Sequence, residues 1–404
     1  MERKISEDEG SDEERGFGLM ARLMKWTVLA LILLALPGCW DLKNIQDINY
    51  ITAVGIDYKD GKYLLYAQLL DFSNVAKQEG GGSRQNASIW VGKGEGQTIS
   101  EAINDLYNSS QQKTFWGHVT CIVLSEEALK QRNKSEFMDG IVRFREMRYT
   151  QWVYGTQEPI DKLLTTKPFF NLSPLSSILA QPEDLYRQDS LIRPMRLYKV
   201  VTDYREPGQT LLLPRLSIDS EDWQRDGKLD PKLMIDGIMP VYNQQLKMPL
   251  DIDKLAGLRW LLPDMTRAPV QVPDTGKPSA MLYVKEKTKS KVRVQGDKVL
   301  LDLEAGVRAS VVEMSEQISE TELKKETEKS IRKELEQTFK LGKERNIDLF
   351  QVEHILYRTK FPDWSRLTSN GERPLADYEL GNLKFTVNII HTGMYKEVLP
   401  GKDY

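Results

Sequence analysis

Only two cysteines (Cys39, Cys121) and three histidines (His118, His354, His391) occur in 404 residues, all well separated in sequence. That scarcity excludes a disulfide framework and the close-spaced ligand pairs of common zinc motifs. An excess of positive charge is also lacking. With 56 Lys and Arg against 59 Asp and Glu, no large cationic field exists to gather a phosphate backbone, so nucleic acid is not expected as a partner. The sequence contains no Gly-x-Ser-x-Gly elbow, no His-Glu-x-x-His and no Gly-x-x-x-x-Gly-Lys phosphate loop. At 40% hydrophobic and 28% charged residues, the chain has the make-up of a folded protein with room for two or three cores.

Long apolar runs are absent except for one. From Trp26 to Trp40 no side chain is charged, and residues 26–36 are almost continuously apolar. Such a run is shorter than the roughly 20 residues of a spanning helix and fits the roughly 7–15 residues of a signal-peptide core. Arg22 and Lys25 precede it, and Leu36-Pro-Gly-Cys39 ends it, a small residue before a cysteine as at the cleavage site of bacterial lipoproteins. The expectation is a signal peptide over residues 1–38 with an acidic N-terminal extension (Glu7 to Glu14), then a thioether-linked lipid at Cys39. Two acyl chains anchor stably, at about 0.8 kcal/mol per buried methylene, so the bilayer is an expected partner through the acyl anchor. Cys121, within Val119–Leu124, is expected to be a buried, inert thiol.

The mature chain divides by pattern into residues 39–216, a linker over 217–231, and residues 232–404. β-rich residues 50–57 and 62–70 flank Asp60-Gly61, a hairpin signal, and 89–91 and 151–154 read as strands. Thr98 and Glu101 form a capping box ahead of Ile99, Ala102, Ile103, Leu106 and Tyr107, the periodicity of a helix with one buried face. Ser125 is a candidate N-cap, and a helix is expected over 136–145. Prolines crowd residues 159–231, so short helices rather than core strands are expected there. Further on, strands are read at 281–285, 291–294, 299–312 and 383–390, with turns at 289–290 and 296–297. A helix from Ser319 to about Arg345 is expected to carry Glu320/Lys324, Glu328/Arg332 and Glu336/Lys340 pairs around buried Ile331, Leu335 and Phe339. The fold class expected is α+β, multidomain, with mixed and antiparallel sheets and packed helices.

No residue set emerges as catalytic, cofactor-binding or metal-binding. Gly92-Lys-Gly-Glu-Gly96 lacks the third glycine and the distal acid of a dinucleotide fingerprint, and is read as a flexible strand-to-helix turn. His118 has no nucleophile at motif spacing and is read as structural. Asp57 alone is too few oxygens for calcium and is given a turn or cap role. Asp251 with Asp253, and Glu183 with Asp184, lie in polar segments.

Cys39-Trp-Asp41 and Tyr50–Asp57 resemble the Ger(x)C family of spore germination lipoproteins. The likeness continues in order through Thr98–Tyr107, Leu211–Pro214, Gly237–Tyr242, Leu255–Trp260, Asp348–Phe350, Trp364 and 387–393. It implies a non-enzymatic C subunit of a nutrient germinant receptor, needed for the germination response. Such a subunit would be tethered through Cys39 to the outer face of the spore inner membrane beside two membrane-embedded subunits of A and B type. The alternative, a solute-binding lipoprotein of a transporter, would show two similar α/β lobes.

Overall fold

The computed structural model describes residues 20, 22–29, 48–70, 88–131, 148–262, 265–272, 280–314 and 319–391. Cys39 and the 136–145 helix expected from sequence lie outside these, as does all but residue 88 of an exposed loop expected over 73–88. Residues 22–29 are helical and exposed, and among the described residues no helix is long and apolar enough to cross a membrane. The described residues of Asn49–Tyr404 form one compact unit.

Its first half is a mixed sheet. In chain order the strands are β1 (Ile48–Lys59), β2 (Lys62–Leu70), β3 (Trp90–Gly96), β4 (Lys113–Phe115), β5 (Cys121–Ser125), β6 (Trp152–Thr156), β7 (Met195–Arg196) and β8 (Leu211–Asp219). A small ribbon, β9 (Gln224–Arg225) and β10 (Lys228–Leu229), precedes β11 (Lys232–Tyr242), β12 (Gln245–Leu246) and β13 (Leu250–Asp251). The long path through the sheet is β12-β11-β8-β6-β5-β1-β2-β3. Asp60 and Gly61, both at positive φ, make the tight turn between β1 and β2, as the Asp-Gly pair dictates. β1, β5, β6 and β8 run parallel, while β2 and β11 return antiparallel.

Helices cover both faces because residues alternate along each buried strand. Ile122 and Leu124 pack into a core with α1 (Ile99–Tyr107), α2 (Glu126–Lys130) and, further on, α5 (Leu197–Arg205). Cys121 and Val123 face the opposite core, which holds α3 (Ile160–Thr165); α4 (Pro182–Gln188) follows it in sequence. Thr98 caps α1 by accepting from the Glu101 amide, and the Glu101 carboxylate reaches back past the cap to accept from Gln97 N–H at 2.7 Å. Ser125 caps α2 in the same way.

Two expectations for this half need correction. Gly92–Gly96 is not a turn but strand β3 itself. Its glycines recur every second residue, so all three face α1. A Cβ on Gly94 would stand 2.1 Å from Ala102 O, and one on Gly96 2.6 Å from Ala102 N. The glycines let a helix lie directly on the strand, while Glu95 points away to Lys62 at 2.7 Å. Secondly, the proline-rich region does contribute core strands. Pro214 in β8 sits inside a nine-position antiparallel ladder with β11, and β8 meets β6 through a single bridge, where a lost N–H costs little. Residues 217–231, the expected linker, hold the end of β8 and the β9–β10 ribbon, whose Asp226 and Gly227 are both at positive φ.

The second half carries the sheet β14 (Ala268–Val272), β15 (Ala280–Gln295), β16 (Lys298–Met314) and β17 (Tyr378–His391), in that order. β15 and β16 form one long hairpin turning at Gly296-Asp297. No turn occurs at Lys289-Ser290: both residues lack the positive φ such a turn needs, and they pair with Glu304 and Leu303, so Lys289 faces an opposite charge. β17 joins β16 in parallel. Three helices pack here: α6 (Glu320–Glu344), α7 (Val352–Thr359) and α8 (Phe361–Thr368). Ser319 caps α6, and Ile331 and Leu335 are fully buried, with Phe339 half-buried. Of the expected ion pairs Glu320–Lys324 forms at 2.5 Å, whereas Lys340 reaches Glu344 and Arg332 donates to Leu383 O across to β17. The two halves are built differently, unlike a pair of similar α/β lobes, and the whole is α+β with a mixed and a largely antiparallel sheet.

Candidate functional site

β11 is shared between the halves. Met239 and Val241 face the first core, while Ile238 belongs to the core of the second half. Around this strand runs a seam of buried polar groups. Thr210 donates its N–H to Gln351 Oε1 at 2.8 Å and accepts from Gln351 Nε2 at 2.8 Å, and its hydroxyl donates to Asp348 O at 2.7 Å. Gln351 adopts this position at a φ of 58°, a left-handed conformation that the reciprocal bonds hold in place.

Deeper in the seam lies Glu353 at the start of α7, only 2% exposed. Its carboxyl accepts from the Tyr242 hydroxyl, from Trp364 Nε1 at 3.2 Å and from the Leu375 amide at 2.9 Å. Its own amide donates to Asp348 Oδ2 at 2.8 Å. Burial, followed by the Glu353 charge, pushes the Tyr242 phenol far above its ordinary range, so it remains a donor. Gly208, at φ +67°, passes close by; a Cβ there would lie 2.8 Å from Glu353 Cγ. A second carboxyl, Glu334 of α6, binds Arg259 through two bonds of 3.1 and 2.5 Å and Trp260 Nε1 at 2.7 Å.

Asp348 is the strained member. Its Oδ1 is buried with no hydrogen-bond partner among the described residues. Burial pushes its carboxyl up to about 6, against the pull of the Glu353, Val352 and Phe350 amides. The folded state therefore holds this proton more tightly than the unfolded chain, whose carboxylates titrate near pH 4. Its stabilising contribution is complete below about pH 4 and is lost as pH rises through about 6. The difference in unfolding free energy between wild type and Asp348→Asn, read from urea midpoints, is expected to decline across that window and then level off. A pH-independent difference would contradict this.

Beside the seam opens a cleft of about 390 Å³. Its floor is apolar, with Leu212 and Ile238 from the first sheet and Leu258 and Leu349 from the second half. Along its wall Arg196 stacks 3.7 Å over Trp152, donates to Thr150 O and pairs with Glu183 at 3.2 Å. Lys199 pairs with Asp203 at 2.5 Å; burial raises the Asp203 carboxyl and Lys199 opposes that shift. Such a cleft can seat a small amphipathic group. Arg196 and Lys199 on this wall are each paired with a carboxylate.

The residues singled out from sequence fall as follows. His118 packs edge-on against Tyr50 and Phe115, with ring centroids 5.2 and 5.6 Å away, on the rim of a neighbouring hollow of about 380 Å³. Asp57, still inside β1, accepts from the Ser125 hydroxyl and the Tyr58 amide and so ties β1 to the cap of α2. Asp251 does not pair with Asp253 but accepts from the buried Arg215 at 2.9 Å, and Arg215 also binds Asp236. Glu183 and Asp184 open α4 and turn to separate arginines, Arg196 and Arg187. Cys121 is buried and its thiol is pushed up to about 12 by desolvation, consistent with an inert core residue. Among the described residues no group of three or more His, Cys, Asp or Glu could hold a metal. Cys39 lies outside the described residues.

Glu353 and Asp348 as a seam were not legible in the sequence, although several stretches carrying the family likeness converge there. Tyr242 and Trp364 both donate to Glu353, and Gly257 lets the Leu255–Trp260 segment press on α6, where a Cβ would meet Glu334 O at 2.5 Å.

Comparisons with known proteins agree with this architecture. Residues 41–218 match the family described as spore germination protein N-terminal domain, and residues 238–393 that described as spore germination B3/GerAC like, C-terminal. Spore germination protein KC of Bacillus subtilis (strain 168) is 25% identical over 93% of this chain and 97% of its own length. Spore germination protein B3 of the same organism is 22% identical over 73% of this chain and 76% of its own. The crystal structure of the GerBC protein superposes with a TM-score of 0.50 at 15% identity, covering 83% of this chain and 96% of that one, a likeness of fold. This chain belongs to the Ger(x)C, or GerAC-like, family of spore germination proteins.

Proposed function

We propose that the chain is the non-enzymatic C-type subunit of a nutrient germinant receptor. In this reading a lipid on Cys39 holds it to the outer face of the spore inner membrane, beside two membrane-embedded subunits of A and B type. The observation that carries the reading is the family match across both halves, with spore germination proteins KC, B3 and A3 among the relatives. Two carboxyls support it: buried Glu353 and half-buried Glu334 are each consumed in holding packed elements together, a use suited to a rigid contact-making part. The charge-free run ending at Gly38-Cys39 supports the anchor.

Spores of a strain whose other nutrient receptors are deleted provide the test. Removing this chain is expected to abolish the nutrient-triggered fall in optical density, and a wild-type copy to restore it. An undiminished response to every nutrient would overturn the reading.

A further inference from the structure

An aromatic cluster stands out at the tip of the β8–β11 pair. Phe170 is 75% exposed, Trp223 52% and Leu229 58%, with Phe169 at 39%. Two segments far apart in sequence assemble it. The Phe169 ring lies 4.6 Å from that of Trp223 at 75°, and Arg225 donates to Asn171 Oδ1 at 3.4 Å. Phe169 rests on Lys232, whose Nζ is 4.9 Å from the ring and is itself fixed by Asp230 at 2.9 Å and by two backbone carbonyls.

The cluster is held outward against its own preferences. Phe170 and Asn171 both adopt left-handed backbone, at φ 57° and 53°, a conformation disfavoured for a bulky aromatic residue. Strain of this sort, paired with an exposed apolar patch, marks a surface kept for contact rather than for the fold's own stability. Phe169 and Trp223 are pre-ordered, which lowers the entropic cost of docking.

Charge selects the occupant. Asp219, Glu221, Asp222 and Asp226 flank Trp223 in sequence, and Glu221, Asp222 and Asp226 form no ion pair among the described residues, outnumbering Lys228 of the same exposed ribbon. That acidic rim repels an anionic lipid surface.

We infer that the Phe169–Phe170–Trp223–Leu229 tip docks into an apolar socket on another protein, and that the socket is flanked by lysine or arginine facing the acidic rim. This rests on the receptor reading insofar as the partner belongs to the same assembly. The aromatic residues supply the contact and the carboxylates supply specificity and approach rate.

The test places a photo-crosslinking benzoylphenylalanine at position 223 of the full chain in spores, with Trp90, 67% exposed elsewhere on the protein, as the control position. Mass spectrometry of the crosslinked peptide is expected to show an apolar segment with adjacent Lys or Arg on a different protein, absent from the control. A crosslink to lipid, to a second copy of this chain or to a peptide without basic neighbours would overturn the proposal, as would no crosslink. In parallel, Phe170→Ser with Trp223→Ser is expected to slow the nutrient response at least 10-fold at normal protein level. If deletion of the chain abolishes the response while this double variant responds normally, the surface assignment fails and the receptor reading stands. If deletion itself changes nothing, the receptor reading fails, and the crosslink alone decides the surface.

Discussion

Glu353→Ala is expected to lower the unfolding free energy by about 3–5 kcal/mol, the range for removing one partner from a buried charged network. Three donors would lose their acceptor together: the Tyr242 hydroxyl, Trp364 Nε1 and the Leu375 amide. Each buried donor left unsatisfied costs roughly 1–3 kcal/mol, and because the three share one acceptor their costs do not simply add. Glu353→Gln retains one carbonyl oxygen and is expected to lose less than half as much. Urea denaturation at constant slope measures both. Equal midpoints for wild type and Glu353→Ala would show that the seam is not what couples the halves.

A second large effect concerns the anchor. Cys39→Ala is expected to abolish retention of the mature chain in spore membranes and to impair the nutrient response, while the folded domain keeps its denaturation midpoint. In the proposed reading the Cys39 sulfur carries the thioether, and two acyl chains would contribute many buried methylenes at about 0.8 kcal/mol each, a loss no surface contact would replace. Fractionation of spore membranes reads the outcome. A variant that remains fully membrane-bound would argue against cleavage and lipidation at this position.

Local chemistry made much of the fold readable. Asp60-Gly61 requires positive φ at both positions, and the structure has it; Thr98 with Glu101 and Ser319 with Glu322 place helix starts through bonds only a few residues long. Errors arose where a local pattern has two physical uses. Glycines two apart serve a turn, yet on a strand they clear one face for a helix, and only the packing of α1 distinguishes these. Prolines predict breaks, but Pro214 lies where ladder bonding on one side is sparse.

The seam was illegible for a different reason. The partners of Glu353 lie 111, 11 and 22 positions away, and nothing around a single acid on a short helix announces a buried site. Tyr242 and Trp364 could be singled out by family likeness, but the carboxyl that joins them could not. The aromatic tip is similarly a product of tertiary structure, since Phe169 and Trp223 meet only after β8 and its ribbon have formed.

An exported, lipid-held subunit acting by contact is the core of this account. The mass of the N-terminal peptide of the native protein, isolated from spore inner membranes, tests it most directly. The account predicts a peptide beginning at Cys39 that carries a diacylglycerol thioether. A chain recovered from the soluble interior with residues 1–38 still attached and an unmodified thiol would contradict it.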